Sequence, residues 1–327
     1  MGGAGRPGLG AAARRGGGPV PVIVALSGGI GGAKLALGLS KVLPPEELLV
    51  VANTGDDFEH VGLTICPDID TLTYTLAGLD NPVLGWGRAD ESWAFMETLA
   101  ALGGEDWFRL GDRDLALHVL RTHRLRGGEP LSAITDDLRR RLGIGARILP
   151  MSDDPVRTRL RGDAGWIDFQ DWFVRQRATP AVRAIEFAGA AAARPQPGVL
   201  AALRAGPRAV VICPSNPFIS IEPILAVPGM REAIAVCGAP VVAVSPIIAG
   251  QAVKGPTAKM FSELGMEPSA AAVAARYGAL LDGYVMEEGD DATGIAPHVF
   301  RTRTLMQTLD DKVALARAVL AAAEALR

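Results

Sequence analysis

Residues 22–34 constrain the fold of this chain more than any other stretch. Five apolar residues, 22–26, predict a buried parallel strand. Ser27 follows them, and then come four glycines: Gly28, Gly29, Gly31 and Gly32. Lys34 and an apolar run then predict the start of a helix. A strand, a glycine turn and a helix aim backbone N–H groups and a helix N-terminus at an anion, so the stretch predicts a phosphate-binding loop.

The glycine spacing leaves two alternatives open. The order Gly-Gly-x-Gly-Gly is not the dinucleotide fingerprint, and Lys34 does not stand in a Walker sequence. A tight turn from strand to helix without any ligand is the simpler interpretation. Four glycines in five positions exceed what such a turn needs, which favours the anion site.

Composition excludes several classes of protein. The chain has 327 residues, 49% of them hydrophobic, which suffices for one large α/β domain or two smaller ones. The net charge of -3 gives no electrostatic reason to expect binding to nucleic acid or to an anionic membrane. Three widely spaced cysteines form no Cys-x-x-Cys pair, so they predict buried thiols in a cytoplasmic protein. The first 19 residues, rich in Gly, Ala, Arg and Pro, predict a disordered tail.

The remaining pattern predicts an α/β fold with a mainly parallel sheet. Strands are expected at Leu48–Ala52, Ala209–Ile212, Val241–Val244 and 284–286, with an amphipathic helix over 310–326. Residues 88–147 have a helical pattern that glycine pairs interrupt. We therefore predict a Rossmann-like core of three layers over residues 20–327, with a mostly helical insertion at about 71–147. The order of the strands does not follow from the sequence.

Polar turns at the predicted strand ends form a candidate site, because ligands of open α/β sheets bind at that edge. The candidate phosphate-facing groups are the glycine N–H groups, Lys34, Ser215, Asn216, Ser245 and Lys254. The candidate carboxylates are Asp56, Asp57, Asp68, Asp70, Asp112, Asp153 and Asp154. Phosphate donors beside surplus carboxylates indicate Mg²⁺, which prefers oxygen ligands. No His-Glu-x-x-His sequence indicates a zinc site, and no Gly-x-Ser-x-Gly sequence indicates a serine nucleophile. Phosphoryl transfer is the chemistry that remains.

Each of these groups also has a simpler structural interpretation. Asp68 follows Cys66-Pro67 and is a plausible N-cap of the next helix. The turn 109–114, with two Arg and two Asp, is often only a solvated salt-bridge cluster. His118 is more often structural than catalytic at such a position.

Eight short motifs occur in the order of a known family. They are Ser-Gly-Gly-Ile-Gly-Gly-Ala-Lys, Asn-Thr-Gly-Asp-Asp, Cys-Pro-Asp-Ile-Asp-Thr, Leu-Gly-Asp-Arg-Asp-Leu-Ala, Pro-Met-Ser-Asp-Asp-Pro-Val, Pro-Ser-Asn-Pro, Val-Ser-Pro-Ile-Ile and Lys-Gly-Pro. From about residue 22 to the C-terminus, the chain resembles the CofD/FbiA family, the 2-phospho-L-lactate transferases of coenzyme F-420 biosynthesis. The resemblance implies transfer of a phospho-acid from a GDP-activated three-carbon acid to the ribityl hydroxyl of the deazaflavin Fo. GMP is released, Mg²⁺ is required, and a homodimer is expected.

The resemblance also implies roles for individual residues. Asp70 and Arg109 match positions that contact Fo, and Asp112 follows on the same acceptor side. Asp57 and Asp70 are predicted to face the metal or to orient the hydroxyl. The residues expected to hold the guanine nucleotide and its phosphates are Gly28, Gly29, Gly31, Gly32, Lys34, Ser215, Asn216, Ser245 and Lys254. The glycine loop lacks the threonines of many relatives, and no residue decides whether the acid is lactate, enolpyruvate or glycerate.

Two rival functions compete with the transferase. A YvcK-type regulator has a similar core and binds nucleotide sugars without catalysis. The acceptor-side motifs around Asp70 and Arg109 favour the transferase over it. A nicotinamide-dependent oxidoreductase is disfavoured by the glycine spacing and because Ala52 and Asn53, not an acidic residue, close the second strand.

Overall fold

A computed structural model describes residues 22–82, 86–252 and 255–327. The described β-strands are β1 Ile23–Ser27, β2 Leu48–Ala52, β3 Phe58–His60, β4 Leu63–Ile65, β5 Arg147–Pro150, β6 Arg157–Gly162, β7 Gly165–Asp168, β8 Ala184–Ala188, β9 Ala209–Ile212, β10 Val241–Val244, β11 Ile247–Ile248, β12 Gln251–Ala252, β13 Gly283–Met286 and β14 His298–Arg301. The described α-helices are α1 Gly29–Val42, α2 Pro67–Ala77, α3 Ala94–Ala101, α4 Asp112–Arg126, α5 Leu131–Arg141, α6 Pro197–Arg204, α7 Glu222–Ala226, α8 Met230–Ala235, α9 Thr257–Glu263, α10 Ala270–Tyr277 and α11 Leu309–Ala325. The predicted tail, residues 1–19, lies outside the described residues.

A parallel sheet of seven strands forms the centre, in the order β14-β13-β10-β9-β1-β2-β5. This confirms the predicted α/β fold. The strands that the sequence indicates as apolar runs, β1, β2, β9 and β10, are buried along their whole length. The edge strands β5 and β14 carry arginines and were not predicted, because neither offers an apolar run of more than three residues.

Helices cover both faces of this sheet, giving the three predicted layers. Alternate residues of β1 show the division, since Ile23 and Ala25 pack on one side and Val24 and Leu26 on the other. The first side is covered by α1, α2, α5 and α11, and the second by α6 to α10. A small antiparallel sheet of β7, β6 and β8 lies beside the main sheet. Within the three described stretches, no helix combines the length and the apolar character that a membrane crossing requires.

The strand order fixes where a ligand can bind. From β1 the chain adds β2 and then β5 on one side, whereas β9, β10, β13 and β14 lie on the other. The order therefore reverses between β1 and β9, and the turns after these two strands diverge at the carboxyl edge of the sheet. Such a switch point forms the crevice in which open α/β sheets bind ligands.

Candidate active site

A cavity of about 940 Å³ opens at this switch point. The turn after β1 and the turns after β9 and β10 form one wall, and the start of α2 forms the floor. The segment between α2 and α4 and the region around residues 169–177 form the opposite wall. The predicted site residues that line the cavity are Gly28, Gly29, Gly31, Lys34, Asp70, Arg109, Ser215, Asn216 and Ser245.

The glycine loop is the tightest part of this wall. Helix α1 begins at Gly29, within the glycines, and not at Lys34 as the apolar run predicted. Gly29 has a left-handed φ of 64°, which favours glycine. A β-carbon at Gly31 would overlap the carbonyl oxygen of Pro214, and one at Gly32 would overlap hydroxyl oxygens. The helix therefore starts early because its first turn packs directly on the turn after β9. Gly32 itself lies beneath the surface and does not line the cavity.

Two of the loop N–H groups already have partners in the protein. Gly28 N donates to Ser215 Oγ at 3.2 Å, and Gly29 N donates to Asp68 Oδ1 at 2.6 Å. A carboxylate thus occupies the start of helix α1, where the macrodipole favours negative charge. Asp68 was predicted to cap its own helix, and that prediction was wrong. Cys66 takes the N-cap position of α2, and Asp68 instead accepts from the first turn of α1.

Asn53 holds two of the cavity carboxylates close together. Its Nδ2 lies 2.8 Å from Asp68 Oδ2 and 3.0 Å from Asp56 Oδ1. Burial raises the pKa of Asp68 to about 6, although the hydrogen bonds from Asn53 and Gly29 N act in the opposite direction. Burial and the neighbouring Asp68 raise the pKa of Asp56 well above its ordinary value. Two carboxyl groups that repel each other in a buried site provide a setting for a cation.

Asp57, the neighbour of Asp56, lies behind the cavity wall. It is buried and does not line the cavity, and its Oδ1 has no hydrogen-bond partner among the described residues. Burial raises the pKa of Asp57 to about 7, against the attraction of Arg157. Its predicted catalytic and metal-binding roles remain predictions.

Asp70 is the fourth residue of α2 and forms a buried ion pair. Arg121 of α4 donates to both of its carboxylate oxygens, at 3.0 Å to Oδ2 from Nη1 and more closely to Oδ1 from Nη2. Both side chains are buried, yet Asp70 borders the cavity. The pair therefore connects the floor of the cavity to the helical segment above it.

Asp114 and His118 extend this polar group along α4. Although burial acts against it, the neighbouring His118, the hydrogen bond from Tyr74 and the charge of Arg121 lower the pKa of Asp114. Ligand atoms of Asp70, Asp114 and His118 lie within 4.8 Å of one another, so these residues could also hold a metal ion. The guanidinium of Arg121 already supplies a positive charge there.

Aromatic side chains form the wall opposite the glycine loop. They are Tyr74, Trp86, Trp107, Phe108, Phe169 and Phe173. Arg109 belongs to the same wall and stacks over the ring of Trp93, with its Cζ 4.0 Å from the ring centroid. Stacking on an aromatic face is a contact at which arginine and lysine are not equivalent. A flat ring fits a wall of this kind.

Asp112 lies near this wall but does not line the cavity. Its carboxylate accepts from Ser92 Oγ at 2.6 Å and from Phe95 N at 3.0 Å, which ties it to the start of α3. These hydrogen bonds lower the pKa of Asp112. Its predicted contact with the acceptor remains a prediction, and the geometry favours Asp114 for such a contact.

The side chains predicted to hold the nucleotide mainly shape the turns. Asn216 Oδ1 accepts from Phe218 N at 2.9 Å, and Ser245 Oγ donates to the carbonyl of Ile247 at 2.9 Å. Lys34 Nζ donates to the carbonyl of Met306 at 2.8 Å, which places the ammonium at the cavity wall. Lys254 lies outside the described residues.

Comparison with known proteins settles the family. Residues 23–321 match the model of the family described as 2-phospho-L-lactate transferase CofD. The chain belongs to the CofD family. A protein of Streptomyces griseus named phosphoenolpyruvate transferase is 46% identical over 319 residues, covering 93% of this chain and 99% of that protein. Proteins with the same name from Thermobifida fusca and Mycolicibacterium smegmatis are 44% and 40% identical, covering 89% and 91% of this chain and 94% and 97% of their own lengths.

Solved structures agree with the CofD assignment at the level of the fold. Two structures of one Bacillus halodurans protein, which is described as a member of the UPF0052 family, superpose with TM-scores of 0.64 and 0.62. They cover 92% and 93% of this chain, and 99% and 100% of their own, at 15% and 14% sequence identity. At this identity the likeness concerns the fold alone.

Several residues in or beside the cavity of this CofD protein were not assigned a role in the site from the sequence. Asn53, Tyr74 and Arg121 received none, and His118 was taken as structural. One signal was available for part of this group. Asp114, His118 and Arg121 follow one another at spacings of four and three, which places them on one face of a helix. The partner of that face, Asp70, comes from another helix, and no local pattern reveals it.

Proposed function

We propose that this chain is a phosphoenolpyruvate transferase of coenzyme F-420 biosynthesis, using the deazaflavin Fo as acceptor. The donor is GDP-activated enolpyruvate, and GMP is the second product. Family membership supports CofD-type transfer, and the names of relatives with 40–46% identity over nearly the whole chain favour enolpyruvate among the three acids. The observation that carries the proposal is a single cavity with a glycine loop and carboxylates on one side and an aromatic wall on the other.

The donor diphosphate fits beside the glycine loop. The N-terminus of α1 and Lys34 provide positive potential at the wall formed by the turns after β1 and β9. Because Asp68 already accepts from Gly29 N, an anion at this wall would meet the carboxylate as well as the helix. A cation held by these carboxylates would remove that repulsion.

The residues present fit Mg²⁺ at this position. Asp56 and Asp68 share the Asn53 amide and offer only oxygen atoms, and their raised pKa values reflect burial and repulsion from neighbouring carboxylates. Asp70 borders the same floor and remains the further candidate that the sequence indicated. When bound, Mg²⁺ supplies positive charge that neutralises the phosphate oxygens. The Mg²⁺ requirement is part of the proposal.

The acceptor occupies the aromatic wall in this proposal. Trp86, Trp107 and Phe108 offer faces and edges for the flat ring of Fo, and Arg109 borders the same space. The ribityl chain then extends towards Asp70 and the floor of the cavity. This orientation brings the terminal hydroxyl towards the carboxylates and the donor diphosphate.

The reaction is an in-line displacement at phosphorus. The terminal ribityl oxygen forms a bond to the phosphorus that bears the enolpyruvyl group, and the bond from that phosphorus to the phosphate oxygen of GMP breaks. The hydroxyl proton is released, and the product is a phosphodiester between Fo and enolpyruvate. The protein contributes mainly by positioning and by charge neutralisation, as in other phosphoryl transfers. The homodimer that the family resemblance implies remains a prediction.

The test incubates the purified protein with Fo, Mg²⁺ and one guanylylated acid at a time. The three acids are enolpyruvate, lactate and glycerate, and mass spectrometry identifies the product. We expect GMP and the enolpyruvyl phosphodiester, with lower turnover for the other acids. Product with lactate or glycerate alone would overturn the choice of donor. No product with any acid would overturn the transferase itself, and chelation of Mg²⁺ without loss of turnover would overturn the metal requirement.

A further inference from the structure

Tyr74, Asp114 and His118 form a polar cluster in the cavity wall. Tyr74 Oη donates to Asp114 Oδ1 in a short contact, and His118 Nε2 lies 2.9 Å from Asp114 Oδ2. Tyr74 and His118 are buried, whereas Asp114 is only partly buried, and all three border the cavity. Each oxygen of the carboxylate therefore has a buried neighbour, since Tyr74 donates a hydrogen bond to Oδ1 and His118 Nε2 lies beside Oδ2.

The surroundings of His118 fix which of its nitrogens bears the hydrogen. Its Nδ1 lies 3.4 Å from Nη1 of Arg121, and a guanidinium can only donate hydrogen bonds. In a neutral imidazole, Nδ1 therefore faces Arg121 as an acceptor, and Nε2, which lies beside Asp114 Oδ2, carries the hydrogen. The oxygen of Asp70 lies farther from Nδ1, at 3.7 Å. Arg121, itself paired with Asp70, thus sets the tautomer that orients Asp114.

Asp114 also has the right position for an acceptor contact. It lines the cavity next to Arg109 and Trp86 on the aromatic wall, one turn before His118 on α4. Asp112 differs from it, because the Asp112 carboxylate already accepts hydrogen bonds from Ser92 Oγ and Phe95 N near the start of α3. An ionised carboxylate accepts short, charge-assisted hydrogen bonds from hydroxyl or N–H groups.

We propose that Asp114 accepts a hydrogen bond from the hydroxyl chain or a ring N–H of the acceptor, and that His118 is the positioning residue that holds it there. The inference rests on the proposed function, because it concerns the same acceptor. Tyr74 also helps to hold Asp114, through the hydrogen bond that it donates to Oδ1. The role of Asp114 is to bind and orient the acceptor, so its loss affects the acceptor more than the donor.

The test measures steady-state kinetics with Fo and the guanylylated enolpyruvate donor for five variants, one of which is Asp112→Asn as a comparison. Asp114→Asn and His118→Leu are expected to raise KM for the acceptor by roughly tenfold to a hundredfold, because a hydrogen bond to a charged group is lost. KM for the donor is expected to stay within about twofold. His118→Gln keeps an N–H donor and is expected to recover most of the loss of His118→Leu. Asp310→Asn, an exposed change at the start of α11, is the matched control.

The outcomes separate the inference from the proposed function. Turnover by the wild type with unchanged acceptor KM in Asp114→Asn would overturn the inference and leave the function intact. A larger acceptor effect in Asp112→Asn than in Asp114→Asn would do the same. If KM rises equally for both substrates and His118→Gln does not recover, the role of Asp114 and His118 is merely structural. That result would also overturn the inference. No turnover by the wild type overturns the function, and the inference with it. Circular dichroism shows whether each variant is folded.

Discussion

At the scale of single residues, the glycine loop acts first through its packing. Gly31 needs no unusual φ, but a β-carbon there would overlap the carbonyl oxygen of Pro214 in the turn after β9. The two turns that face each other across the switch point can therefore approach only because this residue has no side chain. A carbonyl oxygen of the main chain cannot move aside as the tip of a flexible side chain can.

We predict that Gly31→Ala lowers the free energy of unfolding by about 1–3 kcal/mol, as overpacking does. It is also expected to weaken donor binding, because the turn after β9 must move. Gly289→Ala is the control, since a β-carbon at that exposed position meets no atom within 4 Å. Its effect should stay within about 0.5 kcal/mol. Urea denaturation measures the free energy of unfolding of both variants, and equal losses in the two would contradict the tight packing at Gly31.

Sequence reasoning could find the glycines but not their partners. Four glycines in five positions indicated close approach, and the apolar run before them gave the strand. That Asp68 would take the Gly29 N–H, instead of capping its own helix, depends on how α2 packs against α1. A contact between residues 39 positions apart leaves no mark in either local pattern.

At the scale of elements, the hairpin of β3 and β4 supports the aromatic wall. His60, the last residue of β3, packs edge-on against Trp107, with ring centroids 5.0 Å apart, and lies 5.9 Å from Phe108. Burial lowers the pKa of His60, against the attraction of Glu105. The hairpin therefore disfavours a charged imidazole at this position.

We predict that this hairpin makes the protein less stable in mild acid. Below the pKa of an unfolded histidine, about 6.5, the unfolded chain binds a proton at His60 that the folded chain resists. Stability therefore falls as the pH falls. His60→Phe is expected to reduce the difference in unfolding free energy between about pH 7.5 and about pH 5.5. His123→Gln, on the exposed part of α4, is the control and should leave the difference unchanged. If His60→Phe does not reduce the difference in unfolding free energy between the two pH values, His60 is not the source of the acid sensitivity.

The elements themselves were largely predictable. Continuous apolar runs gave β1, β2, β9 and β10, because a central parallel strand is buried on both faces. The hairpin of β3 and β4 has mixed composition and three-residue strands, so it offered no period to detect. The aromatic wall was missed for a related reason, since its rings come from segments far apart in the chain.

At the scale of the whole molecule, the strand order decides where the site is. The sequence placed polar turns at several strand ends but gave no order, so the meeting of the turns after β1 and β9 could not be foreseen. Once these strands are neighbours, the glycine loop and Ser215 come together and the remaining turns surround them. The helical segment then closes the cavity from the other side.

The buried pair of Asp70 and Arg121 joins that segment to the core, because Asp70 lies on α2 and Arg121 on α4. We predict that Asp70→Asn and Arg121→Met each lower the free energy of unfolding by about 3–5 kcal/mol, since each leaves a partner charge or its hydrogen bonds unsatisfied. The double variant should lose clearly less than the sum of the two, because the second change removes the group that the first left unpaired.

Urea unfolding of the four proteins at one pH gives this double-mutant cycle. Strict additivity would mean that the two side chains contribute independently and that the segment is held by its apolar contacts alone. A control cycle on the exposed pair of Arg175 and Glu105, whose atoms lie 3.0 Å apart, should give a coupling of about 1 kcal/mol or less. A strong coupling at the buried pair, beside a weak one at the exposed pair, would identify the Asp70–Arg121 contact as the main polar link between the cavity floor and the helices that cover it.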